Sequence, residues 1–214
     1  MIALLRAGSF LTNLAVFAGV PLLCGLAWPW AGVVAAACFS LSWWACGRAP
    51  QSETAPPGAC AAAERAAERM GAEPPRFVRT VGGWTAGAVR AGSGYGLVVG
   101  DEVAPEHCEA VLAHEIAHFT TGDLLWEPLT DGPARGLLAA AHRAPPLILA
   151  ALPFLVLGAP LARATELRAD RLAADTVPRY AGVLRDVAAR MEVRGTILYP
   201  SVGVRIRHAA RDAE

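Results

Sequence analysis

Two histidines four residues apart bracket a glutamate in His114-Glu115-Ile116-Ala117-His118. On a helix, four residues advance about 400°, so the two imidazoles stand about 40° apart on one face and can grip one metal ion. Glu115 is turned round by one residue, too far to be a primary ligand but close enough to take a proton from a water on that ion. This is the H-E-x-x-H arrangement, in which zinc activates water and the glutamate acts as general base. A catalytic zinc takes three protein ligands and leaves a fourth position open, so one more donor must come from elsewhere in the chain. Arg163-Ala164-Thr165-Glu166-Leu167-Arg168-Ala169-Asp170 offers a candidate. Glu166 and Asp170 again share one helical face, Glu166 as a ligand and Asp170 as a group that orients a ligand imidazole through its second nitrogen. Taken alone, this segment suits a solvated face of alternating Glu and Arg equally well; the first motif is what favours the metal. His107, His142 and His208 read as ordinary core or surface histidines.

The elements that must position these groups follow from pattern. Pro105 suits a first helical position, Glu106 the first turn, and Val111, Leu112, Ile116 and Ala117 continue an apolar stripe until Gly122 offers a stop. Ahead of this helix, Arg76 to Val81, Trp84 to Arg90 and Tyr95 to Val99 are short β-prone runs separated by glycine-rich turns, which predicts a small antiparallel sheet ending at Gly100-Asp101. Residues 60 to 70 predict a surface helix stopped by Gly71, with a packing role only.

Composition sets a second constraint. The 214 residues are 54% hydrophobic and 18% charged, with a mean hydropathy of +0.37 and 19 basic residues balancing 19 acidic ones. Soluble domains carry about 25% charged residues, so the apolar excess calls for a bilayer. Zero net charge and the lack of any basic run remove the electrostatic footprint of a nucleic-acid partner, and none is expected. Every basic residue is Arg, which excludes Schiff-base lysine chemistry and a phosphate loop ending in Gly-Lys-Ser/Thr. Cys24, Cys38, Cys46, Cys60 and Cys108 form no Cys-x-x-Cys pair and read as small buried hydrophobes in a reducing compartment.

From Phe10 to Cys46 the chain is almost uninterruptedly apolar, about twice the length of one crossing. It predicts two transmembrane helices, Phe10 to Ala27 and Trp30 to Cys46, turning at Trp28-Pro29-Trp30 in the bilayer interface. The length of the apolar run and the single charge before it, Arg6, argue against a removed signal peptide. Arg6 and Arg48 both suit a cytoplasmic side, so the expected location is the cell membrane, multi-pass, with the following domain in the cytoplasm. The division is thus 1–48 as a transmembrane hairpin, 49–59 as a linker and 60–214 as the chemical domain.

A third apolar segment, Ala144 to Ala162, lies between the two metal motifs. As a single crossing it would leave His114 and His118 on the opposite side of the bilayer from Glu166. Pro145, Pro146, Pro153 and Pro160 instead predict a break near Pro153 and a re-entrant or half-inserted hairpin, extended backwards over Gly136 to His142, with every ligand on one side.

These residues resemble the membrane-bound zinc metallopeptidases of the HtpX and CAAX prenyl-protease type. The likeness rests on Val111-Leu112-Ala113-His114-Glu115-Ile116-Ala117-His118 followed by Gly122-Asp123, on Arg163 to Ala174, and on the strand ending Gly96-Leu97-Val98-Val99; it spans about two thirds of the chain. It implies a mainly α membrane protein whose N-terminal hairpin carries an α+β zincin-like peptidase domain with a small sheet and an embedded apolar hairpin. By this resemblance His114, His118 and Glu166 hold one zinc ion, Glu115 is the base, Asp170 supports the cofactor, and Tyr95 to Val99 takes an extended substrate by strand addition. The family usually carries a His-Pro pair and then Arg-Ile near its C-terminus. Here they are Tyr199-Pro200 and Arg205-Ile206. A tyrosine hydroxyl can donate the same hydrogen bond to an oxyanion, so either Tyr199 stands in for that histidine or the change marks a slower or altered enzyme, and Arg205 is either a second donor or a structural ion pair.

The expected function is therefore zinc-dependent endoproteolysis of membrane or membrane-associated proteins, with peptide substrate and lipid bilayer as partners. The alternatives are a non-catalytic zinc-binding scaffold and a sensor peptidase that cleaves a cytoplasmic regulator.

Overall fold

A computed structural model describes residues 1–46, 53–130, 132–141, 147–191 and 199–210. His142, the start of the linker at 49–52 and the first residues of the third apolar segment, 144–146, lie outside this set. The described chain is mostly helical, with one small sheet. It divides into two compact units, neither continuous in sequence: 1–46 with 125–164, and 47–124 with 165–214.

In the first unit, α1 (Ile2–Leu23) and α2 (Trp28–Cys46) are joined by a turn with Gly25 at φ +84°. The turn thus falls ahead of Trp28-Pro29-Trp30, not on it. Pro29 sits in the first turn of α2, where its missing N–H has no helical partner to lose. The first helix likewise begins at Ile2 instead of Phe10, which puts Arg6 inside it, with its guanidinium 5.8 Å from the Trp126 ring centre. Phe39 lies between Phe10 and Phe17 at centroid distances of 5.5 and 5.0 Å, and holds the two helices together. Polar residues in these helices cap backbone elsewhere in the unit. Asn13 donates to the carbonyls of Leu129 and Thr130, and Ser42 to that of Pro128, in and after a 3₁₀ turn at Glu127–Leu129. Among the described residues, α1 alone is long and apolar enough to cross a membrane.

The predicted break at Pro153 is absent. Leu147–Thr176 is one helix, α7, with Pro153 and Pro160 inside it. Seven residues advance about 700°, so the two rings lie on one face, and both are exposed, while Ala151, Phe154, Leu155, Ala159, Leu161 and Ala162 bury the opposite face. A proline that points outward removes a hydrogen bond without pressing on a neighbouring element, and packing of the buried face keeps the helix whole. The backward extension is helical, as α6 (Gly132–Ala141), which follows the short α5 (Asp123–Trp126) and the 3₁₀ turn.

The second unit positions the metal motifs. β1 (Glu53–Thr54) and the start of α3 (Pro57–Arg69) occupy part of the expected linker. β2 (Val78–Val81), β3 (Ala86–Ala91) and β4 (Gly94–Gly100) complete a sheet in the order β1-β2-β4-β3. It is mixed, not antiparallel, because β2 runs parallel to β4. The reason is the crossover that follows β2. Residues 82–85 cross over the end of β4 at Gly100, where an added Cβ would collide with the Gly83 carbonyl oxygen. Gly83 takes φ +88° there and donates its N–H to Asp101 Oδ1. β3 then returns down the far side of β4 through a two-residue hairpin whose Gly92 has φ +65°. As a result β4 is an interior strand with both edges paired, so Tyr95 to Val99 cannot add a substrate strand. The edges belong to β3 and the two-residue β1.

Tyr95, Leu97 and Val99 from β4 pack with Leu112, Ala113 and Ile116 of α4 (Pro105–Thr120) and the alanine face of α3, Ala59, Ala62, Ala63 and Ala66. Small residues on α3 let its axis approach α4 closely, and Arg65 and Arg69 both reach Glu109 across the contact. α4 starts at Pro105 and ends as predicted, with Gly122 at φ +72°. α8 (Tyr180–Met191) and α9 (Val202–Ala210) close the unit. Cys108 is buried, but Cys24 is exposed, contrary to expectation, and the thiols of Cys24, Cys38, Cys60 and Cys108 are free.

Candidate metal centre

α4 and the second half of α7 bring the two motifs together. His114 Nε2 lies 3.3 Å from His118 Nε2 and 3.3 Å from Glu166 Oε2, and His118 Nε2 is 3.7 Å from Glu166 Oε1. Three donor atoms, one from each side chain, fall within 4.8 Å of one another, and this group could hold a metal ion. The donor set fits one: bonds of about 2.0–2.2 Å to nitrogen and oxygen place ligand atoms a little over 3 Å apart. His114 and Glu166 are buried and His118 is half-buried.

Each ring's other nitrogen meets a carboxylate. His114 Nδ1 is 3.0 Å from Asp170 Oδ1, the partnership expected from the four-residue spacing of Glu166 and Asp170. His118 Nδ1 is 3.0 Å from Asp123 Oδ2. Asp170 is fully buried and heavily partnered. Arg205 of α9 donates to it twice, Nε to Oδ2 at 2.8 Å and Nη2 to Oδ1 at 2.7 Å, and the Tyr180 hydroxyl donates to Oδ1 at 2.7 Å. The same hydroxyl stands 3.2 Å from His114 Nδ1. Arg205 Nη2 is also 3.7 Å from Glu166 Oε2. Of the two roles expected for Arg205, this geometry carries the ion pair.

The charges follow from these contacts. Burial works to lower the His114 pKa, but its hydrogen bonds to Asp170 and Glu166 outweigh that and push it up to about 10. Burial by itself would raise Glu166; the contact with His114 and the charges around it hold it at about 2. Asp170 is likewise held far below the usual carboxylate range against its burial, by Arg205 and His114. Burial and the neighbouring Asp170 charge push the Tyr180 phenol well above its ordinary value. The cluster is thus a buried cation–anion network in which a metal would replace the proton shared by imidazole and carboxylate.

Glu115 is half-buried on the same helix, and among the described residues its carboxylate makes no hydrogen bond or ion pair. Tyr199 sits half-buried at the bend before α9, and the Tyr180 phenol contacts the cluster. His107 is buried with Nε2 3.5 Å from Asp186, and His208 meets Arg171, as ordinary core and surface histidines do.

Two participants carried no assigned role in the sequence. Tyr180 lies ten residues beyond Asp170, and nothing in its spacing marks it. Asp123, held by Arg168 and Thr121, had a signal: it follows His118 by five residues, just past the glycine that ends the helix. Compared with protein-family models, curated proteins and solved structures, the chain matches none of them.

Proposed function

We propose that this chain is a membrane-anchored zinc endopeptidase acting on membrane or membrane-associated proteins. The observation that carries the reading is the 3.3 Å spacing of His114 Nε2 from both His118 Nε2 and Glu166 Oε2, on the helix that also carries Glu115. A tetrahedral zinc with bonds of about 2.0–2.1 Å has ligand atoms about 3.3 Å apart. The same donors accept other divalent ions, and zinc is preferred because two imidazoles and one carboxylate are a ligand set of its catalytic sites. This is also where the resemblance to the HtpX and CAAX prenyl-protease type points.

When bound, the ion supplies Lewis acidity and an acidified water. Glu115 receives the proton on its carboxylate and delivers it to the departing amine. Asp170 fixes the His114 imidazole through Nδ1, leaving its Nε2 turned to the cluster. Arg205 offsets the negative charge of Glu166 and Asp170. Tyr199 is the proposed donor to the oxyanion. The open edge of β3, the strand packed against α4, accepts an extended peptide by main-chain hydrogen bonding, in place of the interior β4.

Anchoring is supported by side chains with nothing over them. Leu4, Leu11 and Leu23 on α1, and Trp28, Trp30, Val33 and Leu41 on α2, are more than half exposed. With both helices in the bilayer, the positive-inside tendency of the flanking Arg6 and Arg48 in the sequence favours the cytoplasmic side for the hydrolytic unit.

The test is cleavage of a protein-derived peptide mixture by the detergent-purified, zinc-loaded chain beside Glu115→Gln of equal metal content. Cleavage by the parent alone is expected. Equal cleavage by both would remove Glu115 as the base, and no cleavage by either would replace the peptidase with a zinc-binding scaffold.

A further inference from the structure

His118 is the less secured of the two imidazoles by position. It sits in the last turn of α4, two residues before the helix ends, where the backbone has few following hydrogen bonds to hold it. His114 lies one turn deeper and has Asp170 and Tyr180 on its Nδ1 side. What faces His118 Nδ1 is Asp123, the first residue of α5, brought back towards the ring by the left-handed Gly122.

Both oxygens of Asp123 are engaged. Oδ2 takes the His118 contact at 3.0 Å and accepts from Thr121 Oγ1 at 2.8 Å. Oδ1 accepts from Arg168 Nη2 at 2.5 Å. A carboxylate gripped at both oxygens cannot rotate about its Cβ–Cγ bond without losing one partner. As an acceptor only, it requires His118 to donate from Nδ1, which leaves the Nε2 lone pair for the cluster. Arg168 lies on α7 two residues after Glu166, so the clamp joins the end of the helix that bears both histidines to the helix that bears the third donor.

We propose that Asp123, locked by Arg168 and Thr121, is a positioning residue that fixes the tautomer and direction of His118 and completes the metal site at the end of α4. The inference rests on the metal-binding part of the function proposed above and not on the peptidase reaction. Loss of a group of this kind weakens metal binding by about 10–100-fold. Asn at 123 keeps an oxygen that can accept from Nδ1 but offers Arg168 a weaker partner, so its effect falls below that of Ala.

The experiment is cobalt(II) binding to the full chain in detergent, by competition with a chelator and by the visible absorption of the bound ion, for the parent, Asp123→Ala, Asp123→Asn, Thr121→Val and Asp186→Asn. Binding weaker by about 10–100-fold in Asp123→Ala, with a changed cobalt spectrum, partial recovery in Asp123→Asn and no effect of Asp186→Asn, is expected. The spectrum separates positioning from stability, because a loss of stability alone would lower the amount of folded protein and leave the band shape of the bound ion unchanged. Should Asp123→Ala fail to fold, Thr121→Val removes the hydroxyl grip on Oδ2 and is expected to weaken binding several-fold. Parent-like affinity and spectrum in the Asp123 and Thr121 variants would overturn the proposal. A parent that binds no cobalt would overturn it together with the metal site, whereas normal binding without peptide cleavage would overturn only the peptidase reading.

Discussion

Arg205 holds Asp170 with two nitrogens on two oxygens, at 2.8 and 2.7 Å, while Asp170 itself is wholly shut off from solvent. A bidentate pair of this geometry fixes the plane of the carboxylate, and with it the direction from which Asp170 meets His114 Nδ1. Removing the guanidinium would leave the buried charge with one phenol and the His114 ring, which Glu166 also holds, against it. Arg205→Ala is therefore expected to lose about 3–5 kcal/mol of stability in chemical denaturation and most of its metal affinity. Arg205→Lys, which keeps charge but not the fork, should recover only part of either. Parent-like stability in Arg205→Ala would mean that the pair is not what holds Asp170.

Tyr180 donates to the same carboxylate from the start of α8, and the residue before it, Arg179, has φ 64°. Tyr180→Phe removes one of several hydrogen bonds to Asp170 and is expected to cost about 1 kcal/mol while leaving the fold intact. Arg179→Gly should be tolerated at that left-handed position. Arg179→Val should lose about 1–2 kcal/mol, and equal midpoints for the two variants would show that the backbone relaxes there.

The sheet has its own point of failure at Gly100. A methyl group there meets the Gly83 carbonyl, which is backbone and cannot swing aside. Gly100→Ala is expected to destabilise by about 1–3 kcal/mol, readable as a lowered thermal midpoint, and Gly58→Ala, which meets nothing within 4 Å, serves as its control.

Acid stability should follow the carboxylates. Asp123 and Glu166 are both held at about 2, burial being outweighed by His118 and Arg168 in the first and by His114, His118 and Arg205 in the second. Free carboxylates titrate near 4, so the unfolded chain takes up protons first as pH falls. The stability these groups contribute is complete above about pH 5 and is lost progressively towards pH 2. His114, raised to about 10, adds stability that is complete below about pH 6.5 and fades as pH rises towards 10. The metal-free chain should thus be most stable between these limits, and a flat denaturation profile from pH 2 to 6 would contradict the arrangement of the cluster.

The sequence by itself determined the groups that meet within one helix. The four-residue spacing of His114 and His118, and that of Glu166 and Asp170, fixes which side chains share a face, because helical geometry converts spacing directly into direction. Pro105 and Gly122 bounded α4 for the same local reason, since one lacks a donor the first turn does not need and the other takes a left-handed φ freely. The apolar length of the N-terminal region was equally legible, although the turn fell at Gly25 instead of at Trp28-Pro29-Trp30.

Tertiary structure decided whatever depends on partners distant in the chain. Pro153 and Pro160 suggested a broken helix, yet α7 is continuous, because their rings face outward and the packing of the opposite face decides the matter. β4 became an interior strand through the crossover at Gly100, a contact between residues 83 and 100 that no local pattern encodes. Asp123, Tyr180 and Arg205 entered the centre from three separate elements, joined only when α4, α7, α8 and α9 pack. A metal ligand set can be written in residue spacing, but the groups that orient it are chosen by whichever side chains folding brings within hydrogen-bond reach.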